Sequence, residues 1–264
     1  EITLPTGIDK EGRDRTAVCC LSSLNLEKYD EWKDDKLIIN DVMRFLDNVL
    51  TDFIKRAPDQ FDDAKYSAEK ERSVGLGVMG FHSYLQKNSI PFESVMSKVW
   101  NKKIFKHIQE NVDQASKDLA DERGPCPDAA DYGYNERFSN KTAIAPTASI
   151  SIICGGASPG VEPVAANSYT HKTLSGSFNV RNRYLVELLE KHGKNTEEVW
   201  SGITTNQGSI SHLDFLTDLE RDVFKTAFEL DQKWIIELSG DRTPFISQAQ
   251  SINLFLAADV HKKE

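Results

Sequence analysis

No apolar run in these 264 residues approaches the length of a bilayer-spanning helix, and no basic-then-apolar leader opens the chain. Cysteine is scarce. Four in a chain this long do not make a disulfide framework, so a reducing, cytoplasmic setting is the expectation. Positive charge is in deficit, with 32 Lys and Arg against 41 Asp and Glu and a net charge of −9. A surface of that sign repels a polyphosphate backbone, so neither nucleic acid nor a membrane is an expected partner. The six histidines are scattered without metal-ligand spacing, and no metal is expected in this chain. Walker and G-x-S-x-G loops are missing. Residues 75–80 (Gly-Leu-Gly-Val-Met-Gly) fit G-x-G-x-x-G by letter, but no acidic ribose partner follows at a convincing distance.

What remains is ordinary globular material, 39% hydrophobic and 28% charged, without repeats, low-complexity tracts or linkers. One domain over 1–264 is the reading. The first residue is Glu1 rather than Met, which suggests a portion of something larger.

Residues 1–5 read as a short β-like segment and 16–26 as a buried strand with its exit. An amphipathic helix follows, carrying Val42, Leu46, Val49 and Phe53. The small and large apolar groups of 71–87 suggest a strand or tight turn entering a closely packed helix. The next helix, with Val95, Val99, Ile108, Val112, Ala115 and Leu119 on one face, stops at Gly-Pro-Cys-Pro (124–127). Residues 128–141 look irregular. Helices are expected at 182–192, closed by Gly193, and at about 217–239, closed by Gly240. A strand candidate lies at 251–256. Strands separated by long helices predict an α/β fold with mainly parallel strands.

The segment best suited to chemistry is Ala-Pro-Thr-Ala-Ser-Ile-Ser at 145–151. A small-residue turn after a strand presents consecutive backbone N–H groups, and Thr147 and Ser149 add hydroxyl donors. That makes a diphosphate cradle without lysine, or simply a Ser/Thr-capped turn. Cys19 and Cys20 are vicinal and poorly placed to bond each other, because the small ring is strained. A redox partner for either would lie elsewhere, and an apolar strand cysteine is otherwise inert. Cys126 and Cys154 read as structural.

Several segments, in order, resemble the large subunit of class I ribonucleotide reductase. Glu-Ile-Thr-Leu-Pro (1–5) is similar to the end of that family's active-site loop. Residues 16–26 (Thr-Ala-Val-Cys-Cys-Leu-Ser-Ser-Leu-Asn-Leu) resemble the strand bearing one reducing cysteine, with Cys19 at the matching position. Residues 72–78, 146–150, 160–163, 169–176, 205–210 and 247–253 resemble further family segments. The resemblance implies part, roughly the second half, of a ten-stranded α/β barrel of the ribonucleotide reductase and glycyl-radical type. It also implies that a ribonucleoside diphosphate loses its 2′-hydroxyl while a cysteine pair closes to a disulfide.

By position, Glu1 would be the general base and Cys19 one reducing thiol. Thr147, Ala148, Ser149 and Ile150 would hold the substrate phosphates, largely through backbone amides. The same resemblance places the radical cysteine and the second thiol upstream. It calls for an upstream portion of the subunit, a small subunit whose metallocofactor supplies the radical (adenosylcobalamin is the alternative source), thioredoxin or glutaredoxin as reductant, and an oligomer. Its geometric expectation is one cavity shared by Glu1, Cys19 and the turn after Pro146. The competing reading is a non-catalytic phosphate-binding or structural complementation module from the same barrel. A glycyl-radical lyase would require a glycine-radical loop near the C-terminus, and none is visible.

Overall fold

A computed structural model describes residues 1–173 and 176–256. Its centre is a βαβ unit. The short antiparallel pair β1 (Gly7–Ile8) and β2 (Asp14–Arg15) leads into β3 (Cys20–Asn25). The crossover runs through α1 (Tyr29–Trp32), α2 (Lys36–Arg56) and α3 (Asp62–Glu71) to β4 (Val74–Met79). β3 and β4 pair in parallel, from Cys20 opposite Val74 to Asn25 opposite Met79. Every residue of β4 is buried, which is why its sequence is continuously small or apolar rather than alternating.

The next layer continues that sheet in rudimentary form. After α4 (Phe81–Lys87), α5 (Val95–Arg123) and α6 (Pro127–Asp131), residues 142–144 return beside β4 through a Leu76–Thr142 bridge. A second bridge, Ile144–Gln250, adds the end of the described chain as a fourth parallel line. Beyond it come α7 (Ile150–Ile153), the hairpin β5 (Ser168–Thr173) and β6 (Gly176–Arg181), and α8 (Arg183–Lys191). The chain continues with α9 (Glu197–Thr205), α10 (Asp218–Val223) and α11 (Lys233–Arg242). The parallel α/β expectation holds for the central layer, whereas the outlying hairpins are antiparallel. Of the family-like segment 169–176, residues 174 and 175 lie outside the described residues, as does His261.

Helix limits follow local chemistry. Asp35 caps α2 by accepting the N–H of Leu37, Lys55 and Arg56 suit its C-terminal dipole, and Pro58 prevents continuation. Ser94 caps α5 and Gly124, at φ +84°, ends it. On α2 the expected face is about one residue off: Ile39, Met43, Leu46 and Leu50 are buried, Val49 is exposed, and Val42 and Phe53 are only partly buried. On α5 the expected Ile108, Val112, Ala115 and Leu119 are buried with Ile104 and Phe105, and Val95 and Val99 at its start are exposed. Two apolar stripes interleave on α2 and share Leu46, and only packing against β3 and α5 chooses between them.

Three other expectations are corrected. Residues 1–5 form no strand; Ala249 N–H donates to the Glu1 carbonyl and Thr3 N–H to the Gln248 side chain. Residues 251–256 are also not a strand; Glu162 holds Asn253 and Gln232 holds Phe255. The helix expected at 217–239 is two helices. Glu229 accepts the N–H and hydroxyl of Thr226 between them, a local bond that competes with the helical ladder, and Gly240 lies inside α11 rather than after it. α9 had no counterpart in the sequence reading. It packs with α8 around Trp200, Leu185 and Ile203 as a satellite to the main core.

Candidate functional site

Cys19 precedes the first residue of β3, and its half-buried sulfur faces the opening of the strand pair. Gly75 makes room for it. A Cβ there would strike Leu21, would lie 2.9 Å from Ala143 Cβ and would lie 3.3 Å from Cys19 Sγ. The carboxamide of Gln248 donates to Sγ at 3.2 Å and to the Val74 carbonyl at 3.2 Å, and accepts the N–H of Thr3 at 3.2 Å. The next residue, Ala249, donates its N–H to the Glu1 carbonyl at 3.0 Å. Glu1 and Cys19, 18 residues apart in sequence, are thus held by one segment more than 200 residues further on.

Burial pushes the Cys19 thiol up to about 11; the Gln248 bond opposes this, and Cys20, Glu71 and Glu1 add to it. Cys20 is raised by burial, and both cysteines are free thiols. Cys126 is fully buried, whereas Cys154 is exposed and serves the fold through its backbone: its N–H, at the end of α7, donates to the Ile150 carbonyl, and its carbonyl accepts from Asn25.

Glu71, at the end of α3, is the second unusual carboxyl near the thiol. It is buried, its Oε1 lacks a hydrogen-bond partner, and Arg15 Nη1 stands 3.6 Å away. Burial outweighs that cation and lifts its pKa to about 7. It lines a cavity of about 510 Å³ with Arg15, Asp128 and Phe138.

The 147–151 turn lies at the other end of the strand pair. Gly80, just past β4, donates to Ser158, and Asn25, the last residue of β3, reaches Cys154. Thr147 is β-branched yet sits at φ +54°, a strained conformation that is held rather than preferred. Its Oγ1 accepts the Gly160 N–H at 2.7 Å and its carbonyl accepts the Ser151 N–H at 3.0 Å. That strain leaves the N–H groups of Ala148, Ser149 and Ile150 without an acceptor in the described residues, at three exposed positions. Ser149 makes no capping bond, so the turn is not the simple capped helix start that its sequence also allowed.

A cavity of about 500 Å³ opens beside this loop, lined by Gly155, Gly156, Ser158, Arg183 and Tyr184. Arg183 pairs with the buried Glu27 at 3.1 Å. Neither of these two cavities includes Glu1, Cys19 or Thr147. The structure therefore joins two of the three expected groups and sets the third six residues along β3, roughly 20 Å by strand rise.

Among the histidines, His82 is fully buried with Nδ1 accepting from Val164 N–H, and burial lowers its pKa to about 3. His107 bonds Tyr29 and stacks on Trp32. Among the described residues, no three His, Cys, Asp or Glu side chains are grouped to hold a metal, and no helix is long and apolar enough to cross a membrane. Gln248 and Glu71 escaped the sequence reading. Gln248 sat in a recognised segment, Ser-Gln-Ala-Gln-Ser, but nothing in its spacing pointed to residue 19.

The model of the ribonucleotide reductase barrel domain matches this chain over residues 1–137 and 128–264. The ribonucleoside-diphosphate reductase large subunit of Invertebrate iridescent virus 6 is 51% identical over 268 residues, covering 100% of this chain and 27% of that protein. The putative large subunit of Frog virus 3 (isolate Goorha) is 42% identical, covering 99% and 45%. Among solved structures, the Actinobacillus ureae class Id ribonucleotide reductase alpha subunit superposes with a TM-score of 0.87 at 40% identity, over 96% of this chain and 46% of that one. The chain spans less than half the length of each of these relatives.

Proposed function

Because the chain belongs to the ribonucleotide reductase barrel-domain family, we propose that it supplies part of the catalytic barrel of a ribonucleoside-diphosphate reductase large subunit. The reaction converts a ribonucleoside diphosphate and a dithiol into the deoxyribonucleoside diphosphate, a disulfide and water. The observation that carries this reading is the Gln248 bridge, which holds the segment bearing Glu1 against the sulfur of Cys19.

In this reading Glu1 accepts the proton of the 3′-hydroxyl, and Cys19 is one of two thiols that give up a proton and electrons. The free N–H groups of Ala148, Ser149 and Ile150 donate to the diphosphate oxygens, with the Thr147 hydroxyl available as a further donor. A turn that binds an anion through amides suits an acidic chain, since it needs no lysine. The radical cysteine and second thiol come from the rest of the subunit. The radical itself comes from a small-subunit metallocofactor or adenosylcobalamin, and a redoxin resets the thiol pair.

The test is deoxyribonucleotide formation by this portion joined to the remainder of its subunit and supplied with the small subunit and an external dithiol. Cys19→Ser is expected to abolish turnover and Cys20→Ser to retain it. Undiminished turnover by Cys19→Ser would overturn the assignment. Phosphate binding at 147–150 with no turnover in any assembly would favour the non-catalytic module.

A further inference from the structure

The side-chain amide of Gln248 is oriented by backbone, not by the sulfur. Its Oε1 accepts from Thr3 N–H and its Nε2 donates to the Val74 carbonyl, each at 3.2 Å. Turned over, it would set oxygen against oxygen and N–H against N–H. The two backbone groups therefore fix an N–H donor against Cys19 Sγ, also at 3.2 Å. The thiol has no comparable partner of its own, since the Cys20 carbonyl lies 3.9 Å from Sγ.

We propose that Gln248 is the positioning residue for Cys19, holding the sulfur at the mouth of β3 and stabilising it as a thiolate during thiol–disulfide exchange. This rests on the reading of Cys19 as one of the reducing pair. When an external dithiol attacks the partner sulfur of the oxidised pair, the S–S bond breaks and its electron pair goes to Cys19. The attacker gains the new S–S bond. The Gln248 N–H then meets a full negative charge, where a hydrogen bond is worth about twice a neutral one.

Among the described residues, Gln248 is the group that favours that charge. Cys20 on β3, Glu71 at the end of α3 and Glu1 on the opening segment all disfavour it, as does burial. Gln248 also couples the two halves of the site, because moving Thr3 and the segment that bears Glu1 would move the donor facing Cys19.

The experiment is alkylation of the intact chain by iodoacetamide in a Cys20→Ser background, followed at Cys19 by peptide mass spectrometry between pH 8 and 10. Gln248→Leu removes the donor; Gln248→Glu keeps an acceptor for Thr3 but places oxygen against the sulfur. Both are expected to slow Cys19 about tenfold, the effect of a one-unit rise in thiol pKa. Folded variants that alkylate at the parental rate or faster overturn the proposal. If Gln248→Leu fails to fold, Gln248→Glu decides; if neither folds, the residue is structural and the proposal falls. Alkylation needs no turnover, so slowing by these variants in a chain that stays inactive when joined to the remainder of its subunit would overturn the activity reading while leaving the Gln248 control of the Cys19 thiol standing.

Discussion

Asp47 offers the sharpest stability test. It is fully buried on α2 and faces three arginines. Oδ1 accepts from Arg72 Nε at 2.8 Å and Arg137 Nε at 2.9 Å, and Oδ2 accepts from Arg123 Nη1 at 2.8 Å. Arg72 Nη2 also bonds the Asp47 carbonyl and Thr51 Oγ1. One carboxylate thereby ties α2, the α3–β4 junction, the last turn of α5 and the loop at 137 together. Burial opposes its charge, but Arg137, Arg72 and Arg123 win and hold its pKa below the usual value. Arg72 is itself pushed down by burial and by Arg137, so the cluster is cation-rich and depends on its single central anion.

Asp47→Asn keeps the shape and leaves Arg72 and Arg137 facing each other without their carboxylate, while Arg123 keeps Glu122 at 3.2 Å. Breaking a buried pair typically costs about 3–5 kcal/mol. Arg123, with 28% of its side chain exposed, can relax into water, which favours the lower end. At about 3 kcal/mol the melting temperature should fall by roughly 6–12 °C. Thermal unfolding by circular dichroism measures it. Because the folded pKa is depressed, the stabilisation is present above the unfolded-state value and is lost as pH falls through the folded one. The variant should therefore lose the parent's decline in stability below about pH 4. A loss under about 1 kcal/mol, as for an exposed pair, would refute the account.

Other predictions concern the site. Glu71 takes up a proton on folding, so stability should fall as pH rises from about 4.5 towards its folded value of about 7; Glu71→Gln should flatten that slope in denaturation midpoints taken at pH 5 and 8. Gly75→Ala should cost about 1–3 kcal/mol by overpacking against Leu21 and Ala143. It should also change the alkylation rate of Cys19, and an unaltered melting curve would count against the close packing. Thr147→Gly should relieve the positive φ but remove the bond to Gly160. Weaker retention of inorganic diphosphate, read by calorimetry, is the expected result, and unchanged affinity would remove the hydroxyl from the site.

The sequence made much of the architecture legible because its signals were local. The small and large apolar groups of 71–87 suggested a strand or tight turn entering a helix, which the structure resolves as β4 and α4, and Gly124 and Gly193 marked real helix ends. It failed where two local answers were nearly equal. α2 carries interleaved apolar stripes, and the 217–239 pattern could not show that Glu229 would satisfy Thr226 and break the helix. At the candidate site, Cys19 and the 147–150 turn stood out by residue type, but Gln248 did not, since a glutamine has no distinctive spacing or periodicity.

By itself, then, the chain's order of residues determined which groups could do chemistry: a thiol entering an apolar strand, a small-residue turn rich in hydroxyls, and a carboxylate on a segment ending in proline. Tertiary structure alone decided which of them meet. A hydrogen bond depends on separation in space, and the fold brings position 248 to positions 3, 19 and 74 while leaving the 147–150 turn at the far end of the same strands.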